Sequence, residues 1–526
     1  MTLHTGLWSN TYPTIFNLRM SDLIHTLLQQ AISHHQQGRL QLAEDCYAKV
    51  LQHDPRQFDA LHLIGVIAKQ RGDHQTAMNL FAKAIAVDSK QAKVHCNLGA
   101  TLQELGKSSE ALACYDLALS LQKDYAMAWN NRGNCLRQLG RYAEAIESFT
   151  RAMEVQINYP EAFLNRGVCL QEIDEHEQAL IDFEDALRLR AIYPAVQFAR
   201  GYSLQQLHRY SQALEAYALA SDPHSSAQQQ AAVHCNRGMV LIKLLRFEDA
   251  LDALQLATDL QPHFGNAHLQ SGHAYRALHN EAEAVLAYQT AMLYLTDEKH
   301  QQQLAYLLAS LGHGAIPTHA PTPYVKELFD QYADHFETHL QDQLAYQVPQ
   351  LLQAALQDIL SNSVKNQGLV SLDLGCGTGL SAEYLQSISS TLIGVDLSEK
   401  MLAKARTREC YSDLVCDDIL HYLDRSQIKF DLMLAADVLV YFGELETLFS
   451  RVARGIQAQG LFAFSVELSN AAEIHLNSSQ RYKHSRLYIE KLAAQFHFQL
   501  AHCSQHVGRH EARAEVDSLI VVCRKP

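Results

Sequence analysis

The chain has no continuous apolar run of about 18 residues, the length that spans a bilayer, so no membrane-spanning helix and no membrane partner are expected. Its opening stretch, MTLHTGLWSNTYPTIFNLRM, lacks the basic start and unbroken apolar core of a secretory signal, and a cytoplasmic location is expected. An excess of positive charge is also missing, with 43 Lys+Arg against 57 Asp+Glu and a net charge of -14. Residues 323–526 hold 18 basic against 25 acidic side chains, and residues 1–322 hold 25 against 32. Neither part offers net attraction to phosphates, which argues against general nucleic-acid binding. No pair among the 11 cysteines forms CxxC, their number is odd, and His34-His35 has no third ligand at metal spacing. Neither a disulfide framework nor a metal site is therefore expected.

What the chain does have is length, 526 residues at 48% hydrophobic, enough for two or more domains with separate cores. It also has period. Gly65, Gly99, Gly133, Gly167 and Gly201 recur every 34 residues, Gly238 follows after 37 and Gly272 after 34, and Ala31 extends the series backwards. Twelve residues after each comes Ala43, Ala77, Ala111, Ala145, Ala179, Ala213, Ala250 or Ala284. Four further on stands Tyr47, Phe81, Tyr115, Phe149, Phe183, Tyr217 or Tyr288, with Leu254 the exception. The cysteines follow the same register: Cys96 and Cys235 lie three residues before a recurring glycine, and Cys135 and Cys169 two after one. They read as small buried side chains.

This pattern resembles the tetratricopeptide repeat, and Trp129 in AMAWNNRGNCLRQLGRYAEAIESFTRAM stands at that family's tryptophan position. Small residues let two helices cross closely while the aromatic fills the gap between them. The resemblance implies an all-α solenoid of about eight repeats over 23–296, after an N-terminal extension at 1–22, and a surface that binds a protein or peptide. HQQQLAYLLASLG reads as a capping helix, since a solenoid end must cover its last apolar face, and GAIPTHAPTP as a linker; together they fill 297–322.

From 323 onwards the pattern changes. YVKELFDQYADHFETHL puts Val325, Leu328, Phe329, Tyr332, Phe336 and Leu340 on one helical face, and LAYQVPQLLQAAL gives a second helix. Strands are expected near 368–374, 391–396, 412–416, 430–436, 460–467, 498–506 and 516–523, with helices near 379–388, 398–408, 444–456 and 485–495. The alternation predicts an α/β fold with a mostly parallel, seven-stranded sheet whose ligand site lies at the carboxyl ends of the strands.

SLDLGCGTGL ends the first strand with Asp373 and then Gly375, Cys376, Gly377 and Gly379. A dinucleotide fingerprint needs a glycine where Leu380 stands, and Asp373 is a poor neighbour for pyrophosphate but a good one for a cation. S-adenosylmethionine carries an ammonium and a sulfonium and no phosphate. LIGVDLSEKMLAKAR places Asp396 at the end of the second strand, where two carboxylate oxygens suit two ribose hydroxyls, and LVCDDIL ends the third strand with Asp417 and Asp418. In this order the motifs resemble the class I S-adenosylmethionine-dependent methyltransferases, over roughly 368–526. The Rossmann-like resemblance implies a cofactor set of Asp373, Gly375, Cys376, Gly377, Gly379, Asp396, Leu397, Met401, Asp417 and Asp418, with S-adenosylmethionine as cofactor. AADVLVYFGEL, GLFAFSVEL and SQRYKHSRLYIEKLA further resemble methyltransferases that carry N-terminal tetratricopeptide repeats.

Candidates for acceptor contact lie at strand ends. Asp437 and Tyr441 follow the fourth strand and Glu467 ends the fifth, while His484 sits with Arg481 and Tyr482 before a helix. Asp437 is either an acceptor-orienting group or the N-cap of VLVYF. Tyr332 and Phe336 read as core or as a lid over the cofactor. In the repeats, Asn97, Asn131, Asn165 and Asn236 recur two residues before the glycine. A row of carboxamides there either holds an extended peptide backbone or bonds between repeats. Three functions follow from these readings: an enzyme that methylates a protein or peptide captured by the repeats, an adaptor with a structural or cofactor-sensing methyltransferase-like domain, or a small-molecule methyltransferase whose repeats serve assembly.

Overall fold

The computed structural model describes residues 12–333, 336–338, 344, 346–361, 367–470, 473–511 and 514–526. The first eleven residues of the expected N-terminal extension lie outside them. The chain forms two compact units, one reaching to Arg246 and one running from Phe247 to Pro526.

The first unit is a succession of helical hairpins that begins with Tyr12–Gln36 and ends with Ala227–Lys243. The opening helix runs without a break across the expected boundary at residue 22. Helices Ala126–Gln138 and Tyr142–Val155 show why the sequence repeats as it does. Ala128, Ala145, Phe149 and Ala152 are fully buried, Ala145 and Phe149 against Leu136 of the first helix, Ala128 toward the preceding repeat and Ala152 toward the next. A Cβ built on Gly133 would lie 2.5 Å from Cε1 of Phe149, and the same clash recurs at Gly65, Gly99, Gly167 and Gly201. The glycine is thus the mould of the aromatic ring, whose burial contributes about 2 kcal/mol. Between the helices of each hairpin one residue takes a left-handed conformation. It is Gly72, Gly106 and Gly140 in three repeats but Asp174 and His208 in the next two.

In the second unit, helices Phe247–Leu260, Gly265–Ala277 and Glu281–Tyr294 are followed by a cap, Glu298–Ser310. Tyr306 of the cap is fully buried, its ring tilted against those of Tyr324 and Tyr482, and its hydroxyl donates to the carbonyl of Gln480 at 2.5 Å. The stretch that reads as a linker is a docked strap. The N–H groups of Gly443 and Glu444 donate to Thr318 O at 2.8 and 2.9 Å, Ala320 N–H donates to Tyr441 O at 2.8 Å, and the Tyr482 hydroxyl donates to Pro317 O at 2.7 Å.

Beyond the strap lie β1 (Leu369–Leu374), β2 (Ser389–Asp396), β3 (Asp413–Cys416), β4 (Phe430–Ala435), β5 (Ile456–Leu468), β6 (Ile474–Leu476), β7 (Tyr482–His484), β8 (Gln499–Glu511) and β9 (Ala514–Arg524). The sheet runs β3-β2-β1-β4-β5 in parallel, then continues through antiparallel β9 to β8. At the end of β5, β7 pairs with it over Glu467 and Leu468, and β6 pairs with β7. These two strands are absent from the sequence reading because three residues are too few to show alternation. Helix Ile419–Arg425, also unforeseen, starts where Asp418 accepts N–H bonds from Leu420 and His421. Apolar side chains cover both faces of the sheet, Val395, Met433 and Phe464 toward one core and Leu392, Leu432 and Val522 toward the other.

Candidate functional site

A cavity of about 1040 Å³ opens at the carboxyl ends of β1, β2 and β4, roofed by helix Thr322–Tyr332. Its floor is the glycine turn. Gly375, Gly377 and Gly379 all have positive φ, and a Cβ on Gly375 would fall 2.4 Å from Val438 Cγ2. At Gly377 a Cβ would meet only Phe336, at 4.0 Å, so the backbone there faces open cavity. Gly377 N–H donates to Asp396 Oδ2 and Ser398 N–H to Oδ1, both at 2.9 Å, so the acid that ends β2 also fixes the turn that follows β1.

The charge in this half of the cavity is unbalanced. Asp373 is 2% exposed and accepts the Tyr411 hydroxyl at 2.7 Å. Burial, with the Asp396 carboxylate adding to it, pushes the Asp373 carboxyl up to about 7. Burial raises Asp396 too, against the N–H bonds from Ser398 and Gly377 that lower it. Among the described residues, no Lys or Arg is among the main groups that act on either acid. Two desolvated acids beside an open backbone turn fit a cationic ligand with hydroxyl groups, and S-adenosylmethionine meets that description. Cys376 and Leu397 line the same space, whereas Gly379 shapes the turn from outside the lining, its Cβ position blocked by Arg408 and Tyr411.

Two of the expected cofactor residues lie elsewhere. Asp417 turns away from the cavity and binds His421 Nδ1 at 2.7 Å and Arg425 Nε at 2.9 Å, which hold its carboxyl below the usual range against the effect of burial. Asp418 lines the cavity, because neighbours in extended backbone point to opposite sides, and its carboxylate is taken up in capping the next helix. Met401 is fully buried in its helix against the sheet and does not reach the lining.

The second half of the cavity holds the acceptor candidates. Asp437 lines it at φ +59, with its N–H on Ser465 Oγ at 2.9 Å and its Oδ1 on Arg481 Nη2. It is not an N-cap: the short helix Leu439–Tyr441 starts after Val438 and has no side-chain cap. Tyr441 lines the cavity against Phe329, with ring centroids 5.6 Å apart, and the Arg481 guanidinium lies 5.7 Å from its ring. Tyr332 and Phe336 line it too, edge to face at 5.8 Å. Glu467 does not. It is 2% exposed and sits behind Arg481 and Arg509, bonding Arg481 Nε and, at 2.8 Å, Arg509 Nη2. His484 is fully buried, its Nε2 bonded to Gly443 O at 2.9 Å and its ring stacked on Tyr488, and burial lowers it to about 4. It is a neutral core residue, out of reach of an acceptor. The sequence reading missed Arg509, Gln480, Tyr324 and Tyr346, which line the cavity from segments far apart in the chain and carry no motif.

The asparagine row is engaged between repeats. Asn97 Nδ2 meets His62 Nε2 at 2.8 Å, Asn131 Nδ2 donates to Cys96 Sγ at 3.7 Å, and Asn165 Nδ2 donates to Asn130 Oδ1 at 2.9 Å, each across 35 residues. Asn236 bonds the Tyr217 hydroxyl. These half-buried amides stitch each repeat to the one before it, so the row is not an open ladder for peptide backbone.

A methyltransferase-domain family model matches residues 372–464, and tetratricopeptide-repeat models match residues 28–92, 92–125 and 124–192. Among curated relatives, the chain is 32% identical over 101 residues to a ubiquinone biosynthesis O-methyltransferase of Bradyrhizobium diazoefficiens, covering 19% of this chain and 40% of that one. It is 28% identical over 185 residues to a malonyl-[acyl-carrier protein] O-methyltransferase of Priestia megaterium, covering 34% of this chain and 61% of the relative. The chain thus spans less than two thirds of the length of either relative. Among solved structures it is similar to magnesium protoporphyrin IX methyltransferase from Synechocystis with bound SAH, at 16% identity and a TM-score of 0.32, over 39% of this chain and 99% of that one.

Proposed function

We propose that this chain, which joins tetratricopeptide repeats to a methyltransferase domain, transfers the methyl group of S-adenosylmethionine to an acceptor held in the second half of the cavity. The observation that carries the reading is the pair of buried acids, Asp373 and Asp396, set around a backbone turn open to the cavity, with no cation of the described residues among the main groups acting on them. Bound there, S-adenosylmethionine supplies a methyl carbon that its sulfonium activates for in-line attack. Asp373 would face the cationic part of the cofactor and Asp396 its hydroxyls, while the backbone at Gly377 gives close approach. The aromatic roof of Phe329, Tyr332 and Phe336 excludes water from the reacting atoms. The chain's task is positioning, which by itself lowers the barrier of a displacement of this kind.

The repeats, in this reading, recruit the protein that is the acceptor or that presents it. The asparagines do not carry that role, because their amides are used between repeats. The test is incubation of the full chain with methyl-labelled S-adenosylmethionine and a cell lysate, followed by separation by size. Label in a macromolecular fraction, lost in Asp396→Ala, supports recruitment by the repeats. Label confined to small molecules leaves the transfer standing and removes that role. No label in any fraction, from a protein that binds no cofactor, overturns the reading.

A further inference from the structure

Across the cavity from the glycine turn, the wall carries two N–H donors without an acceptor. Gln480 is 6% exposed and lines the cavity. Its Oε1 accepts the Tyr324 hydroxyl at 2.6 Å and its carbonyl accepts the Tyr306 hydroxyl, which fixes the amide and leaves Nε2 buried with no partner. Next to it, Arg481 uses Nε on Glu467 and Nη2 on Asp437, and Nη1 has no bond among the described residues. A buried donor without an acceptor is unfavourable, so Gln480 Nε2, with the unbonded Arg481 Nη1 beside it, suits something that accepts from both.

The backbone points the same way. Among the described residues nine other than glycine have positive φ, and the two of these that line the cavity are Gln480 at +63 and Asp437 at +59. Strain of this kind persists where the surroundings over-determine the geometry, which is the mark of a binding site. Asn477 Oδ1 accepts the Arg481 N–H at 3.0 Å, so the loop is held from the cap, the roof and its own side chains at once.

On this side of the cavity, away from Asp373, Asp396 and Asp418, the charge favours an anion. Among the described residues here, Arg481 and Arg509 face it against the carboxylate of Asp437, since Glu467 lies behind the guanidiniums. Asp437 is poorly placed to bind a cation: Oδ1 meets Arg481 Nη2, and Oδ2 lies 3.7 Å from Arg509 Nη1. Beside the donors, Phe329 and Tyr441 form a flat apolar wall.

We propose that the acceptor is a carboxylic acid with a flat apolar body, its carboxylate taken by Gln480 Nε2 and Arg481 Nη1 and its body laid against Phe329 and Tyr441. This rests on the methyltransferase reading for the name of acceptor, but its test does not depend on cofactor binding. Benzoate, its neutral counterpart benzamide and the cation benzylamine are titrated calorimetrically into the full chain, alone and with saturating S-adenosylhomocysteine. Benzoate should bind about tenfold tighter than benzamide, the worth of a charge-assisted hydrogen bond, and benzylamine weakest. Q480E puts a carboxylate where the donor was while keeping an oxygen for Tyr324. It should cost benzoate about tenfold or more and leave S-adenosylhomocysteine affinity at the wild-type value. Should that variant fail to fold, the ranking of the three probes on the wild type decides alone. Benzamide equal to benzoate, benzylamine tightest, no probe bound, or Q480E leaving benzoate unchanged each overturns the proposal. Failure of S-adenosylhomocysteine to bind counts against the methyltransferase reading instead.

Discussion

Asp373 is the residue on which the electrostatics of the cofactor half turns. Its folded value of about 7 lies above the usual 3.8, so the folded chain without ligand holds this proton more tightly than the unfolded chain does. The stability this contributes is complete below about pH 4 and is lost as the pH rises through about 7. A cation bound beside it reverses the preference and expels the proton. Calorimetry of S-adenosylhomocysteine binding near pH 6, in two buffers of different ionisation enthalpy, should therefore show proton release in wild type and none from this site in Asp373→Asn. Identical heats in both buffers for the wild type would place the ligand away from Asp373. At this scale the sequence was informative where a residue type is forced and weak where direction matters. The glycines and Asp396 follow from the turn they build. The choice between Asp417 and Asp418 depends on where β3 ends, a matter of one residue, and the pattern of apolar positions does not resolve that. His484 looked polar and available because burial of a short strand leaves no periodic trace.

At the scale of elements, the repeat shows two glycines with different reasons. Gly133 is occupied space: its Cβ would lie 2.5 Å from the Phe149 ring. Gly140 is conformation: it stands at φ +71 with nothing within 4 Å of its Cβ position. Gly133→Ala should then lower stability by about 1–3 kcal/mol through overpacking. Gly140→Asn should cost only a few tenths, since asparagine tolerates the left-handed region and Asp174 and His208 already occupy the equivalent place. Urea unfolding of both variants checks this, and equal losses would contradict it. The helical hairpins were legible because 34-residue spacing repeats the same packing solution along the chain. The strap at 313–321 was not, because Pro and Gly mark a break in regular structure equally well whether the segment hangs free or is pinned, as here, through Thr318 O and Tyr441 O.

For the whole molecule, the capping helix and strap belong to the compact unit that contains the cavity, and Tyr306 secures the very loop that presents Gln480 and Arg481. A fragment cut at the start of the methyltransferase-like pattern would remove part of the acceptor wall, so measurements belong on the full chain. A mostly parallel sheet could be anticipated from the alternation of strand and helix, but the joining of Arg481, Arg509, Glu467 and Asp437 could not, because it brings together four positions from the end of β4 to β8 that share no spacing. In the proposed function the glycine turn with Asp373 and Asp396 holds S-adenosylmethionine. The most direct test is calorimetric titration of the full chain with S-adenosylmethionine beside the Asp396→Ala variant, at a pH above 7. One site per chain is expected, weakened in the variant by about 1.5–3 kcal/mol, the worth of hydrogen bonds to a charged acceptor. No binding by a folded wild type, or equal binding by the variant, would contradict it.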